Sequence, residues 1–500
     1  MSNPPSTSYR QIFKSTALVG GAQVITLLVG ALRMKALALL LGPAGMGLAG
    51  LYTTAVALIG SLAGMGLGNS GVRQIAEAAG TGDQTRIART IVSLRRASLA
   101  AGAVGMLAVI ALAVPLSRGT FGDDQHVTGM MWMSLTLLFG GVSAGQLALL
   151  QGLRRLRDLA ASQVVGALFG TVASVALVYW LREEGIVPFL LANSAFAILL
   201  SWWFARRVPV ERVRVSLRET LAETRGLLGL GLAFTASALL GGAVAYLTRV
   251  LVQRQLGMDA VGLYQATWLL SSYYVGFVLT AMAADFVPRL TAVASDHPAV
   301  NRLVNEQAEM GVLIAVPGVL ATLALAPWVL QVFYSGKFTA ASDIVRWQII
   351  GIFLRVVSWP LGYVFIAKGR SAYFITVEVV AAVIHVALVF ACMQVWQLNG
   401  VGIAFALLYL AVTGLNFLLC RRLTGFRWSA RALKILGPAV LAVALTFLAV
   451  SFLPSPWGVV ASLGLTAVVT AGCLRGLQTL LGINPVDMVK RRLGLAKGAS

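Results

Sequence analysis

The sequence predicts an all-α, polytopic membrane protein with about fourteen transmembrane helices. Of its 500 residues, 58% are hydrophobic and only 11% are charged, and the mean hydropathy is +0.84. Soluble domains carry roughly 25% charged residues, so the composition lies well outside that class. Apolar runs of about 20 residues, the length that crosses a bilayer as a helix, also recur along nearly the whole chain.

The apolar runs predict the spans one by one. The polar N-terminus precedes a first run that is longer than the roughly 7–15 apolar residues of a signal peptide, so a spanning helix is expected there. The polar connections are short, the longest lying near residues 69–96, 206–225 and 284–308, which leaves no room for a soluble domain. The predicted spans are residues 15–41, 44–68, 97–116, 128–150, 161–180, 187–205, 226–250, 260–283, 309–333, 344–367, 372–396, 400–420, 435–453 and 458–480.

The positions of Lys and Arg predict the orientation of the chain in the membrane. The formal net charge is +21, and 29 of the 39 basic residues fall in alternate connections. The connections on the opposite side contain only Arg118, Arg182, Arg254 and Lys337. Basic residues are enriched in cytoplasmic loops, so both termini are predicted to be cytoplasmic. This distribution accounts for the charge without a nucleic-acid partner.

Residue types typical of enzymes and metalloproteins form no recognisable set. There is no Walker A sequence, no Ser/His/Asp or Cys/His constellation, and no large outer loop that could form an active site. We therefore predict no catalytic residue, no metal site and no cofactor. The three cysteines and three histidines are scattered singly: Cys392, Cys420, Cys473, His126, His297 and His385.

A short internal repeat predicts two lobes. Leu41-Gly42 followed by Gly47-Leu48 matches Leu256-Gly257 followed by Gly262-Leu263, at an offset of 215 residues. Six predicted helices separate the matches, so both halves enter the membrane in the same direction, which is the parallel type of repeat. The expected organisation is an N-terminal lobe at residues 1–225, a C-terminal lobe at 226–425, and a helical hairpin with a basic cytoplasmic tail at 426–500.

Several charged residues fall inside predicted spans, where an isolated charge is costly. Arg355 is the deepest, and we expect either an anion clamp in a central cavity or a contact between packed helices. Lys35 and Arg249 lie at similar depth in the two halves and are expected in the cleft, with snorkelling to the outer edge as the alternative. Arg346 lies nearer the outer end of its span and is expected to reach the surface.

One predicted span also contains a carboxylate. Glu378 and His385 are seven residues apart and share a helix face, where they could carry a proton or bind a coupling cation. Alternatively, Lys368 and Arg370 neutralise Glu378 near the inner end of the helix. A structural role is favoured for His385.

Three blocks of sequence resemble the Wzx-type O-antigen and enterobacterial common antigen flippases. The first is LGPAGMGL at residues 41–48 with GNSGVR at 68–73, the second extends from Val261 to Pro288, and the third extends from Lys337 to Lys368. These proteins belong to the multidrug/oligosaccharidyl-lipid/polysaccharide (MOP) exporter superfamily. The hairpin at 435–480 departs from the twelve-helix members of that family.

The resemblance implies a function and a set of site residues. Such proteins move undecaprenyl-pyrophosphate-linked oligosaccharide from the cytoplasmic to the periplasmic leaflet of the bacterial inner membrane by alternating access. By this resemblance, Lys35, Arg249 and Arg355 bind the pyrophosphate, and Glu378 couples transport to H⁺ or Na⁺. Membrane lipids and the downstream polymerase and chain-length machinery are the expected partners. The alternatives are a drug/cation antiporter of the same superfamily and a membrane glycan polymerase or ligase.

Overall fold

A bilayer offers no water to the backbone, so every amide in a spanning segment must be hydrogen-bonded within the protein, and an apolar run becomes a helix. The computed structural model describes the backbone of residues 5–211, 213–454 and 456–481. Within these ranges it describes the side chains except at 5–17, 217, 221, 222, 224–234, 273–275, 277, 278, 280, 281, 284, 371 and 481. The predicted basic tail at 482–500 lies outside the described residues.

Helices make up almost all of the described chain, which confirms the predicted fold class. The first half contains α1 (Pro5–Gly64), α2 (Leu67–Thr81), α3 (Gln84–Ala111), α4 (Ala113–Thr120), α5 (Val127–Met133), α6 (Leu135–Gly152), α7 (Leu156–Leu181) and α8 (Ile186–Ala205). The second half contains α9 (Leu217–Leu256), α10 (Met258–Ala292), α11 (His297–Phe333), α12 (Ser342–Ala367), α13 (Ser371–Trp396), α14 (Asn399–Thr424), α15 (Ala430–Phe452) and α16 (Trp457–Leu481).

Among the described residues, 11 helical segments are long and apolar enough to cross a membrane. The segment Leu18–Thr81 contains the first two predicted spans, which meet at Gly42. The segment Leu156–Ala205 contains two more, joined by a short 3₁₀ turn at Arg182–Gly185. The protein is therefore a multi-pass membrane protein. The total of fourteen spans and the cytoplasmic position of the termini stay predictions.

The helices continue into segments that hydropathy predicts as connections. α3 begins at Gln84 because the Asp83 carboxylate accepts hydrogen bonds from the amides of Thr85 and Arg86, at 2.9 and 3.1 Å. α9 begins with a capping box, in which the side chains of Ser216 and Glu219 each bond the other residue's amide. Such caps satisfy the free amides of a first helical turn and extend the helix beyond its apolar stretch.

The two matching glycine motifs adopt the same backbone conformation. Gly42 has φ 67° and ψ −169°, and Gly257 has φ 83° and ψ −178°. This combination is open almost only to glycine, because any Cβ would clash with the backbone. Each glycine ends one long helix immediately before the next begins. The internal repeat is therefore present in the backbone conformation of the two turns as well as in the amino-acid sequence.

The chain forms two compact units, Met1–Leu263 with Phe333–Ser335, and Tyr264–Val332 with Gly336–Ser500. In the first unit, a core cluster joins α2, α3 and α6 through Ile75, Ile91 and Leu149. In the second, a cluster that includes Leu361 and Phe426 joins α10, α11, α12 and α14. The predicted division at residues 225 and 425 stays a prediction.

Candidate functional site

Buried polar contacts fix the position of α12 in the second unit. The Ser271 hydroxyl donates to the side-chain oxygen of Gln348 at 2.9 Å, and the Asn416 amide donates to the Ser358 hydroxyl at 3.0 Å. These four side chains are buried. In a low-dielectric interior such bonds are costly to break, so they define which face of α12 points at its neighbours.

α12 also approaches α14 closely. A Cβ at Gly351 would overlap the Phe405 ring and lie 3.1 Å from the Phe405 carbonyl oxygen, so the observed packing of these helices requires a glycine. Arg355 follows Gly351 by four residues, one turn further along the same helix face. The close approach therefore brings the base of the Arg355 side chain against α14.

Arg355 interacts with two other side chains, on α13 and α14. Its guanidinium carbon stands 5.5 Å from the centre of the Tyr409 ring on α14. The Glu378 carboxylate on α13 interacts electrostatically with the same guanidinium. Three neighbouring helices thus contribute a cation, a carboxylate and an aromatic ring. The ring face attracts the cation through its quadrupole, which helps to hold the guanidinium in place.

The hydrogen-bonding capacity of Arg355 is unused within the described part of the chain. No described residue accepts a hydrogen bond from its guanidinium, and no described carboxylate lies within the 4.0 Å of a direct ion pair. Arg355 is only half-buried. Its five N–H donors are therefore available to an anion.

Three other cations inside predicted spans have hydrogen-bond partners. Arg33 donates to the Asn193 side chain, and Arg249, 4% exposed, donates to the Ala245 carbonyl at 2.9 Å. Arg346 was expected at the surface, but only 12% of its side chain is exposed, and it pairs with Asp343 at 2.8 Å. The acidic residue three positions earlier supplies a partner, so Arg346 does not need to reach the membrane surface.

The structure brings together two of the four candidate site residues. Arg355 and Glu378 interact in the second unit. Lys35, half-buried on α1, and Arg249, buried on α9, both belong to the first unit. The roles assigned to all four residues stay predictions at this point.

Two further side chains complete the description of this region. His385 is buried on α13, and its ring centre lies 6.1 Å from that of Phe405, a packing that fits the structural role expected for it. Tyr409 was not identified from the sequence. One signal could have found it, since it is the one tyrosine of the predicted span 400–420 and lies near the middle of that span. Tyrosines in membrane proteins concentrate at the interfaces instead.

The architecture is shared with proteins of known structure. The chain is similar to the lipid II flippase MurJ in an inward closed conformation, with a TM-score of 0.68 and 12% identity, covering 93% of this chain and 100% of that one. It is also similar to an inward-facing MATE family multidrug resistance transporter of the MOP superfamily, with a TM-score of 0.62 and 17% identity, covering 83% and 96%. The chain therefore shares its fold with these two proteins.

The sequence comparison gives the family. This chain belongs to the polysaccharide biosynthesis protein family, whose profile matches residues 36–343. It is 27% identical over 383 residues to the lipid III flippase of Escherichia coli (strain K12), a match that covers 73% of this chain and 88% of that protein. The lipid III flippase of Shigella flexneri matches equally well. The resemblance expected from the three sequence blocks is confirmed at this level.

Proposed function

We propose that this protein is a lipid-linked oligosaccharide flippase of the MOP superfamily, and therefore a transporter and not an enzyme. The lipid III flippase to which it is similar carries that activity in its name, as does the lipid II flippase that shares its fold. Family membership through residues 36–343 places the protein in polysaccharide biosynthesis.

In the structure, the proposal rests on the guanidinium of Arg355, which donates no hydrogen bond to any described residue. A cation near the middle of a span costs at least about 2.5 kcal/mol on insertion scales, so it needs a partner or a function. A (pyro)phosphate would accept two parallel hydrogen bonds from one guanidinium, which is a strong and directional contact. The described part of the chain offers Arg355 the aromatic and electrostatic contacts but leaves these donors for a ligand.

The full mechanism extends this contact to the whole substrate. Undecaprenyl-pyrophosphate-linked oligosaccharide has an anionic linkage, a polar glycan and a long lipid tail. In our proposal, Lys35, Arg249 and Arg355 bind the pyrophosphate while two lobes expose the site first to the cytoplasmic and then to the periplasmic leaflet. Glu378 couples this cycle to an H⁺ or Na⁺ gradient. Because Glu378 interacts electrostatically with Arg355, an ion bound at Glu378 would act on the same side chain that binds the pyrophosphate.

The proposed location is the bacterial inner membrane, with both termini in the cytoplasm. The 29-to-4 distribution of loop cations supports this orientation. The product would then appear in the periplasmic leaflet, where the polymerase and chain-length machinery act. These enzymes are the proposed downstream partners.

The two alternatives are less consistent with the site. A drug/cation antiporter would have to accept a positive substrate beside the open Arg355, and like charges repel in a medium of low dielectric constant. The similarity to a MATE transporter concerns the fold only. A glycan polymerase or ligase would need an active site, and the relatives with similar sequences are named as flippases.

The experiment that tests the function is deletion of the gene, followed by analysis of lipid-linked oligosaccharides on each leaflet with a membrane-impermeant sugar-modifying reagent. We expect completed units to accumulate on the cytoplasmic side, protected from the reagent, and their composition would identify the glycan. Accumulation of single units on the outer face would contradict the proposal and indicate a polymerase or ligase. Complementation with the wild-type gene is the control.

A further inference from the structure

An apolar groove of about 1070 Å³ lies in the first unit, beside α3 and the end of α1. Its walls come from aliphatic side chains such as Ile59, Leu62, Leu99 and Val104. Among the described lining residues, Arg96 and Thr220 carry the polar side chains. A volume of this size matches the upper range of small-molecule sites.

The groove is longer than one leaflet of a membrane. Its lining follows α3 from Arg96 to Leu112, which at 1.5 Å per residue is about 24 Å. One leaflet occupies half of the hydrocarbon core, or about 15 Å. The groove therefore extends beyond the depth of a single leaflet, and a polyisoprenoid chain, which is longer than one leaflet, can follow its whole length.

Arg96 places a positive charge at one end of this groove. Its Nη1 donates to the Val215 carbonyl at 2.8 Å and to the Thr220 hydroxyl at 3.0 Å. These two bonds fix the guanidinium, and within the described chain its Nε and Nη2 donate to no residue. A guanidinium held in this way, with two further donors that no described residue uses, suits a phosphate oxygen pair. Arg96 also belongs to the basic, predicted cytoplasmic side.

A second cavity lies directly behind the groove. It has a volume of about 260 Å³, and its described lining consists of glycines, alanines and Leu67 together with the polar side chains of Ser61, Asn69, Ser98 and Thr235. Hydroxyl and amide groups of this kind exchange hydrogen bonds with neutral polar ligands such as sugars. Leu67 and Ala101 line both cavities, so these two side chains separate the apolar groove from the second cavity, whose largely apolar wall carries the four polar side chains and which we call the polar cavity.

We propose that the paired cavities are an uptake site for the lipid-linked glycan on the cytoplasmic side. The polyisoprenoid chain occupies the groove, its phosphate binds Arg96, and the first sugar occupies the polar cavity behind Leu67 and Ala101. This inference rests on the proposed function and assigns it a lipid-binding site separate from Arg355. The occupant is a long-chain polyprenyl phosphate and not a bulk phospholipid, because of the groove length and the adjoining polar cavity.

The test measures lipid retention by purified protein in detergent, using native mass spectrometry. The probes are a long-chain polyprenyl phosphate, farnesyl phosphate and phosphatidic acid. We expect wild-type protein to retain the long-chain probe at least about tenfold better than the other two. Ala103→Trp fills the groove and should remove this preference. Ala387→Trp is the matched control, because it adds the same bulk to an exposed position of α13.

Two further measurements keep the inference testable if a variant folds poorly. A benzophenone side chain at Leu99, which lines the groove, should crosslink the long-chain probe, whereas one at exposed Val172 on α7 should not. Arg96→Gln should reduce the preference for polyprenyl phosphate over neutral polyprenol about tenfold. Each variant is compared only if it elutes as a single species in gel filtration.

The outcomes separate this inference from the function itself. Equal retention of phosphatidic acid and polyprenyl phosphate, or an unchanged preference in a folded Ala103→Trp protein, would overturn the uptake site while leaving the flippase proposal intact. If the gene deletion instead leaves lipid-linked units distributed normally, the flippase proposal fails whatever the groove binds.

Discussion

Gly47 and Gly262, which occupy equivalent positions of the internal repeat, each pack against the turn that precedes the other. A Cβ at Gly47 would lie 2.8 Å from the Gly262 amide nitrogen, and a Cβ at Gly262 would lie 2.9 Å from the Pro43 Cα and closer still to its carbonyl. The atoms in the way are backbone atoms, which cannot rotate aside as a side chain can. The repeated motif therefore specifies a reciprocal, backbone-to-backbone contact.

Gly262→Ala should destabilise the protein markedly. The added methyl group meets the backbone at Pro43, so the two turns must separate, and overpacking of this kind costs about 1–3 kcal/mol or more. We expect a Tm several degrees lower in a detergent thermal-shift assay. Gly437→Ala on α15 is the control, since a Cβ there would meet nothing within 4 Å. Equal Tm values for the two variants would contradict the contact.

The sequence predicted the fold class and most helices because hydropathy reports directly on the bilayer. It underestimated the length of α3 and α9, because polar residues at the start of each helix add turns ahead of the apolar stretch. Asp83 and the Ser216/Glu219 pair extend α3 and α9 by their caps, and these signals are independent of hydropathy. Helix ends of this type could have been found by searching for N-cap residues ahead of each apolar run.

The site was only partly predictable for a different reason. Arg355 and Glu378 were recognisable as charges inside spans, because such charges are rare. Their interaction depends on the packing of α12 against α13, which no single-helix pattern encodes. Tyr409 joins them through the close contact at Gly351 and Phe405. The polar cavity at Ser61 and Asn69 combines residues from several helices and has no sequence signature of its own.

Arg355→Ala should abolish export while leaving the protein folded and in the membrane. The substitution removes the open donors that we assign to the pyrophosphate, and those donors stabilise no described contact by hydrogen bonding. Export is measured as surface glycan in a deletion strain that carries the variant. Arg475→Ala on α16, an exposed cation, is the control and should export normally. Normal export by Arg355→Ala would contradict the proposed binding of the pyrophosphate by Arg355.

Tyr409→Phe and Tyr409→Leu should differ in their effects. The phenyl ring retains a face for the Arg355 guanidinium, whereas leucine has none, and a desolvated cation–π contact is worth up to about 2 kcal/mol. We expect near-normal transport for Tyr409→Phe and a roughly tenfold slower rate for Tyr409→Leu, measured as flipping of lipid-linked glycan in proteoliposomes. If both variants lose activity equally, the hydroxyl and not the ring is the important group.

Glu378→Gln should separate transport from its driving ion. The amide keeps the size of the carboxylate but cannot bind or release a proton and attracts Na⁺ weakly. We expect uphill transport in proteoliposomes to lose its response to an imposed H⁺ or Na⁺ gradient, while retention of a polyprenyl diphosphate by the purified variant persists. Asp285→Gln, which removes an exposed carboxylate paired with Arg289, is the control and should respond as wild type does. A gradient response that survives Glu378→Gln would exclude the proposed coupling role.

His126, which lies in the short segment between α4 and α5, should make the free energy of unfolding depend on pH. His126 accepts or donates a hydrogen bond at 2.9 Å with the Tyr52 hydroxyl and packs on the Phe121 ring. Burial lowers the pKa of His126 below its ordinary value of 6.5, although the nearby charge of Asp123 acts in the opposite direction. In the unfolded chain His126 takes up its proton at a higher pH than in the folded protein, so its contribution to stability is present above about pH 6.5 and is lost as the pH falls towards the folded-state pKa.

Thermal unfolding of wild type and His126→Gln between pH 7.5 and 5.5 would measure this contribution. Glutamine can still hydrogen-bond Tyr52 but does not titrate, so the Tm of the variant should fall less than that of wild type over this range. The comparison cancels the other titrating groups, which both proteins share. Parallel Tm profiles for the two proteins would show that protonation of His126 does not affect folding. A steeper loss of Tm in wild type, confined to the interval below about pH 6.5, would locate the effect at the Tyr52–His126 contact, because the two proteins differ only at residue 126.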